Sequence, residues 1–277
     1  MNNPLISIVV VNYNYGSFLE TAIKSIIEQD GFDKCELIIV DGGSTDNSVD
    51  VIKKYSDKIA WWVSEKDKGQ SDAFNKGFAH ACGKLGCWVN ADDLLLPGTL
   101  RAVIECIEKK PQCEWITGGT IFFDEDFLIW RARIGTSITR SMHKWVDATV
   151  IGGPSSFFSI QRLKEVGGFN VDLHYTMDGD LWHKFFNAGM IMVHLNRYFW
   201  GFRSHNASKT SAAFSGKPSE RMKEECIRVS GCESSSFKLR FKVFLLRLHK
   251  AFTGCLLRSY LDTKKYNGKN VIKEFWR

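Results

Sequence analysis

The chain has 277 residues, 44% of them hydrophobic and 25% charged, which excludes a disordered polymer and allows one large domain or two small ones. No apolar run reaches the roughly 18 residues of a membrane-spanning helix. The net charge of +6 is uneven: residues 1–216 carry 22 Lys/Arg against 25 Asp/Glu, residues 217–277 carry 15 against 6, so the body has no nucleic-acid footprint and the basic end calls for an anionic surface.

Met1-Asn2-Asn3-Pro4 has no basic n-region, so no secretory leader is expected. None of the eight cysteines forms a Cys-x-x-Cys pair, and Cys35, Cys87 and Cys106 sit among apolar neighbours as small buried hydrophobes. Both features point to a reducing, cytoplasmic compartment.

Leu5 to Val11 is apolar and β-branched without alternation, the pattern of a strand buried on both faces. Apolar residues then recur with helical period at 18, 19, 22, 23, 26 and 27, with Ser17 as the expected N-cap. Glu36 to Val40 predicts a second strand, Val49 to Tyr55 a helix, Ala60 to Val63 a third strand, 70–82 a helix and Cys87 to Val89 a fourth strand. Strand–helix alternation predicts a mainly parallel sheet with right-handed crossovers, whose ligands gather at the carboxyl ends of the strands. Asn12, Asp41, Glu65 to Asp67 and Asp92–Asp93 all fall at such ends. Beyond Pro97 a helix through Leu100, Val103, Ile104 and Ile107 is followed by strands at about 114–123 and 127–134 and another at Ser155 to Ile160. Gly167-Gly168-Phe169 reads as a tight turn, Asp178 opens a helix carrying Leu181, Trp182, Phe185 and Phe186, and Met190–Leu195 and Tyr198–Phe202 read as two strands.

The adjacent carboxylates Asp92 and Asp93 end a buried strand, where folding alone has no use for two like charges. Hard oxygen ligands suit a divalent cation, Mg²⁺ or Mn²⁺, holding a diphosphate; the competing reading is an exposed acidic turn capping the helix after Pro97. Tyr13 follows the first strand, where its ring can stack on a base or simply pack. Lys68 lies in the Gly-containing loop Lys66-Asp67-Lys68-Gly69, either over a diphosphate or on a solvated face.

Together, Ser7-Ile8-Val9-Val10-Val11-Asn12-Tyr13-Asn14, Val40-Asp41-Gly42-Gly43-Ser44-Thr45-Asp46, Asn90-Ala91-Asp92-Asp93, Gly167-Gly168-Phe169 and Asp178-Gly179-Asp180-Leu181-Trp182 resemble family 2 glycosyltransferases, in family order over residues 4–210. The resemblance implies the GT-A fold, an α/β, Rossmann-like, mainly parallel mixed sheet flanked by helices. It also implies inverting transfer of a sugar from a nucleotide-diphosphate donor, a UDP-sugar, with a divalent metal (Mn or Mg). By family position Asp41 faces the uracil or ribose, Asp92 lies near the ribose and the metal's waters, and Asp93 is the direct metal ligand. Asp178 is the candidate base and Asp180 a structural cap; His205 closes over the metal or diphosphate, or belongs to a polar surface loop. Two departures stand out. Gly42 replaces a carboxylate that would contact the base, and Asn90 brings a neutral oxygen to the metal motif.

Residues 1–100 are expected to form the nucleotide-sugar-binding half of one domain, 101–215 its acceptor-binding half, and 216–277 a basic helical extension. In that extension Phe241, Leu245, Leu248, Phe252 and Cys255 share one helical face, and Arg240, Arg247, Lys250 and Arg258 the other. Such a helix either lies on an anionic membrane or docks on the domain. The expected partners are a nucleotide-sugar donor, a glycan or lipid-linked acceptor and the inner face of the cell membrane, in surface polysaccharide synthesis. The alternatives are a nucleotidyltransferase on a similar sheet and a non-catalytic, membrane-docked nucleotide-binding scaffold. Asn206-Ala207-Ser208 matches a glycosylation sequon and reads as a chance match.

Overall fold

The computed structural model describes residues 4–138, 151–205, 208, 219–231 and 237–276. Asn206 and Ala207 of the sequon, Cys232 and the Arg240 side chain lie outside the described residues.

Four parallel strands form the first half of the sheet: β1 (Ile6–Asn12), β2 (Cys35–Asp41), β3 (Trp61–Ser64) and β4 (Leu85–Asn90). The two-residue β5 (Leu94–Leu95), β6 (Trp115–Phe123), β7 (Ile129–Arg133), β8 (Ser156–Ser159) and β9 (Met192–Arg203) complete it. The order is β3-β2-β1-β4-β8-β6-β9-β5, with β7 paired to β6, so strands from both expected halves share one sheet. β8 runs antiparallel between β4 and β6, while β9 runs parallel to β6.

All seven residues of β1 are buried, as a strand covered on both faces requires. Val9 and Val11 face one core with Ile38 and Val40, while Ile6, Ile8 and Val10 face the other with Leu37 and Ile39. The first core is covered by α3 (Gln70–His80) and α6 (Met177–Asn187), the second by α1 (Gly16–Ile27) and α4 (Thr99–Lys109). In the first core Trp182 stacks between Trp88 and Trp115, with ring centroids 5.8 Å and 5.1 Å away. This aromatic column fixes α6 against the sheet, and Asp178, one turn before Trp182 on the same face, with it.

Several boundaries differ from the sequence reading for physical reasons. α1 starts at Gly16 with Tyr15 at the N-cap, and Asp46 rather than Ser17 takes the Gly16 N–H, at 2.9 Å. Met190–Leu195 and Tyr198–Phe202 are one strand, because polar Asn196 and Arg197 interrupt the apolar pattern but not the backbone, which shifts register against β6 near Gly119. The remaining helices are α2 (Ser48–Lys54), α5 (Ile160–Glu165), α7 (Glu220–Ser230), α8 (Phe237–Phe252), α9 (Cys255–Tyr266) and α10 (Val271–Phe275).

The stretch whose periodicity reads as one helix, Phe241 to Arg258, is divided between α8 and α9, since Gly254 takes a left-handed φ of 71° and breaks it. α9 docks on β7: Thr263 Oγ1 accepts the Ala132 N–H and Ser259 Oγ that of Ile134, both at 3.0 Å. Cys255 is buried, and so in part is Lys250, whose pKa falls to about 8 through burial and then through Arg133. Phe241, Phe244, Phe252 and Leu257 remain exposed, Phe252 at 89%. Among the described residues no helix is long and apolar enough to cross a membrane.

Candidate active site

The loops after β1 and β2 are zipped together by polar side chains. Asn12 Nδ2 donates to Asp41 Oδ1 at 2.7 Å and to Ser44 Oγ at 3.2 Å. Asn14, at a positive φ of 56°, gives its N–H to Ser44 Oγ and accepts that of Thr45, both at 2.8 Å. Asp41 is 0% exposed and takes three further bonds: Ser44 Oγ at 2.5 Å, Ser44 N–H at 2.9 Å and Ser64 Oγ at 2.6 Å. Burial opposes its charge, yet the hydrogen bonds from Ser44, Ser64 and Asn12 win and hold its pKa below the ordinary value. Both carboxylate oxygens of Asp41 are therefore engaged by protein donors. Tyr13, held between these loops, is 61% exposed and turned outward.

The two adjacent carboxylates point opposite ways. The turn Asn90–Asp93 closes with Asp93 N–H on Asn90 O at 3.0 Å, and β5 then pairs with β9, Leu94 opposite Gly201. That pairing brings the end of β9 across the turn. Asp93 is 1% exposed; Oδ1 accepts the Arg203 backbone N–H at 3.1 Å and Oδ2 accepts Asn90 Nδ2 at 2.8 Å. Burial, and then the charge of Asp92, push its carboxyl well above the ordinary range. Asp92 instead faces His205, whose Nε2 lies 2.9 Å from Asp92 Oδ2. Asp93 is thus tied into the turn by both oxygens, while among the described residues Asp92 meets only the His205 ring through its Oδ2. Asn90 also braces: its Oδ1 accepts Gln70 Nε2 at 2.9 Å. The reading of this turn as an exposed helix cap fails on the same facts.

Two residues of this centre escaped the sequence reading. Arg203 is 1% exposed and donates Nε–H to the Asp92 carbonyl at 2.9 Å. Its guanidinium lies 4.9 Å from the Phe18 and Phe123 rings and 4.3 Å from Phe127, a cation enclosed by aromatic faces behind two carboxylates. Tyr15 meets His205 edge-on at 5.5 Å, and burial, then Asp92 and Asp93, raise its phenol pKa. Its aromatic neighbour Phe18 was legible only as a helix-core residue.

Asp178 sits in the first turn of α6 and accepts the Gly179 N–H at 2.8 Å. α3 links the loop ahead of this helix to the diacid turn, Gln70 reaching Asn90 and Ser71 Oγ the Leu173 carbonyl at 3.3 Å. Asn75 fixes the Gly167-Gly168-Phe169 turn by accepting the Phe169 N–H and donating to its carbonyl, both at 2.9 Å. Asp180 pairs with Lys184 at 2.8 Å, and Lys184 also reaches Gly168 O at 3.0 Å. Glu225, from α7, accepts the N–H groups of His174, Tyr175 and Thr176 at 3.0, 2.7 and 3.3 Å, directly ahead of α6. Lys68 is exposed at the start of α3, its backbone N–H on Asp72 Oδ2 at 3.0 Å.

Among the described residues no three His, Cys, Asp or Glu side chains gather as a complete metal-holding set. The pair Asp92 and His205 nevertheless fits a hard divalent cation. An oxygen and an imidazole nitrogen come together beside a second, buried carboxylate, and such cations take one or two protein ligands plus substrate phosphates.

A mainly parallel sheet flanked by helices on both faces, with strands β8 and β9 completing it, has the GT-A fold. The chain belongs to glycosyl transferase family 2, whose sequence pattern it matches over residues 7–164. It is 29% identical over 177 residues to an uncharacterised glycosyltransferase of Mycobacterium tuberculosis, a match covering 63% of this chain and 66% of that protein. It is 26% identical over 250 residues to one of Rickettsia typhi, covering 83% and 76%. Among solved structures, S. aureus TarS in complex with UDP-GlcNAc shares the fold with a TM-score of 0.60 at 17% identity, covering 75% of this chain and 60% of that one. The Pyrobaculum calidifontis mannosyltransferase PcManGT, in complex with GDP-Man and Mn²⁺, does so with a TM-score of 0.59 at 17% identity, covering 96% and 84%.

Proposed function

We propose that the chain is a metal-dependent, inverting glycosyltransferase that moves a sugar from a nucleotide-diphosphate donor, a UDP-sugar, to a glycan or lipid-linked acceptor. The observation that carries this reading is the Asp92–His205 pair at the carboxyl end of the parallel strands, braced from behind by Asp93 and Arg203. That the neighbouring folds are solved with UDP-GlcNAc and with GDP-Man supports a nucleotide-sugar donor.

In this reading Tyr13 lies against the base, Lys68 reaches the diphosphate, and Asp41 acts indirectly by setting the loops that carry Tyr13. Asp92 and His205 would hold a divalent cation, Mn²⁺ or Mg²⁺, which when bound neutralises the departing diphosphate. Asp178 takes the proton from the acceptor hydroxyl as its oxygen attacks the anomeric carbon. The anomeric C–O bond breaks with its electron pair leaving on the phosphate oxygen, and configuration inverts in one displacement. The loop Asn12–Gly16 carries no Lys or Arg to cradle a transferring phosphate, which counts against nucleotidyl transfer. The exposed apolar side of α8 and α9, beside the basic residues of this region, supports docking at the inner face of the cell membrane, where lipid-linked acceptors for surface polysaccharide reside.

The test is a panel of nucleotide sugars with Mn²⁺, read by nucleotide release, on wild type and Asp178→Asn. The variant should bind donor with unchanged Kd and turn over at least about 100-fold more slowly. Wild-type turnover in Asp178→Asn would remove the base assignment.

A further inference from the structure

The nearest wall of the Arg203 cage is a residue in a conformation it should avoid. Phe127 lies in the turn between β6 and β7 at φ 62°, in the left-handed region that a bulky side chain rarely enters and that glycine takes freely. The turn itself does not need the ring, because Asp124 holds its backbone. The Asp124 carbonyl accepts the Phe127 N–H at 3.0 Å, and Oδ1 accepts those of Asp126 and Leu128 at 3.0 and 2.8 Å. What the strained backbone delivers is the ring, 4.3 Å from the Arg203 guanidinium and stacked on Phe123 at 5.8 Å.

The segment between α9 and α10 fixes that turn from outside. The Val271 N–H donates to the Phe127 carbonyl at 2.8 Å, the Ile129 N–H to the Lys269 carbonyl at 2.9 Å and the Gly268 N–H to the Ile129 carbonyl at 2.7 Å. Val271, 0% exposed, shares a core with Phe123 and with Leu94, the residue after Asp93. From Phe127 the contacts run on to both members of the Asp92–His205 pair. Arg203 Nε–H holds the Asp92 carbonyl, and Phe18, 4.9 Å from the guanidinium, lies 5.1 Å from the His205 ring.

We propose that Phe127, held in place by the strap Gly268–Val271, is a positioning residue for the Asp92–His205 pair and acts through Arg203. This rests on the metal-holding reading above and names the element that sets the pair's geometry. A guanidinium stacks on the negative face of a ring, so the ring fixes the plane of the cation and with it the direction of Nε–H. An aliphatic side chain fills similar space but has no such face. Residues behind the ligands of a cation tune its affinity by orienting them.

The experiment is calorimetry of UDP with Mn²⁺ and with chelator, on the full chain, for wild type, Phe127→Leu, Phe127→Gly, Phe127→Tyr and Val271→Pro, each checked by thermal melting. Phe127→Leu keeps apolar bulk, and Phe127→Gly removes the ring while relieving the left-handed backbone, so the turn survives. Val271→Pro deletes the N–H on the Phe127 carbonyl at the first position of α10, where proline suits a helix. Wild type and Phe127→Tyr should bind UDP at least about tenfold more tightly with Mn²⁺; in the other three variants that gain should fall below about threefold, with the Kd in chelator unchanged. If Phe127→Leu and Phe127→Gly keep the wild-type gain, or weaken UDP equally with metal and with chelator, Phe127 serves packing alone and the proposal is overturned. A wild-type gain in Val271→Pro would overturn the part given to the strap. If wild type binds UDP no more tightly with Mn²⁺ than with chelator, the metal reading itself has failed, and this one with it.

Discussion

Asp41 shows how closely a carboxylate at a strand end can be bound into its own fold. Its place in the motif pointed to a ligand, but four hydrogen bonds from Asn12, Ser44 and Ser64 turn it inward. Nothing local in the sequence announces this, because Asn12 and Ser64 come from neighbouring strands. Asp41→Asn should cost about 3 kcal/mol at pH 7, measured by urea denaturation. The folded pKa of Asp41 lies below the unfolded one, so its stabilisation is present above the unfolded value, near 3.8, and is lost as pH falls through the folded value. The deficit of the variant should accordingly shrink on acidification below about pH 4, and a constant deficit down to pH 2 would contradict the assignment. Asp92 and Asp93 were legible as a pair with chemistry in it. Which of them faces outward was not, since that is decided by Arg203, which is remote in sequence.

At the level of elements, buried strands with unbroken apolar runs were readable and polar interruptions misled. β1 to β4 came through within a few residues, whereas Asn196 and Arg197 split β9 on paper and not in space. The periodicity of the extension ran through Gly254, where the backbone turns left-handed and one helix ends before the next begins. The contact between α7 and the start of α6 left no trace in the pattern, although it has a clear consequence. Glu225 holds three N–H groups ahead of the helix bearing Asp178, which makes it a positioning residue. An amide offers one acceptor oxygen where the carboxylate offers two. Glu225→Gln should therefore lower turnover about tenfold with little change in the Kd for UDP, a split that a general loss of fold would not produce. Equal losses in both would mean that Glu225 serves stability alone.

For the molecule as a whole, strand–helix alternation and the ordered motifs made the fold readable, while the balance between docking and exposure in the extension was decided by packing. α9 buries one side on β7 and leaves Leu257 and Leu261 open, continuous in character with Phe241 and Phe252 of α8. Phe252→Asp combined with Leu257→Asp removes two exposed apolar anchors without touching the core. The pair should abolish co-sedimentation with vesicles containing anionic lipid and leave the melting temperature within about 2 °C. Equal co-sedimentation of variant and wild type would remove the membrane role. The central claim is that Asp92 and His205 grip a nucleotide diphosphate through a cation, and titration of UDP by calorimetry with Mn²⁺ and then with chelator tests it most directly. Wild type should bind at least about tenfold more tightly with Mn²⁺, and Asp92→Asn should lose that gain. Identical UDP affinity with metal, with chelator and in Asp92→Asn would contradict it.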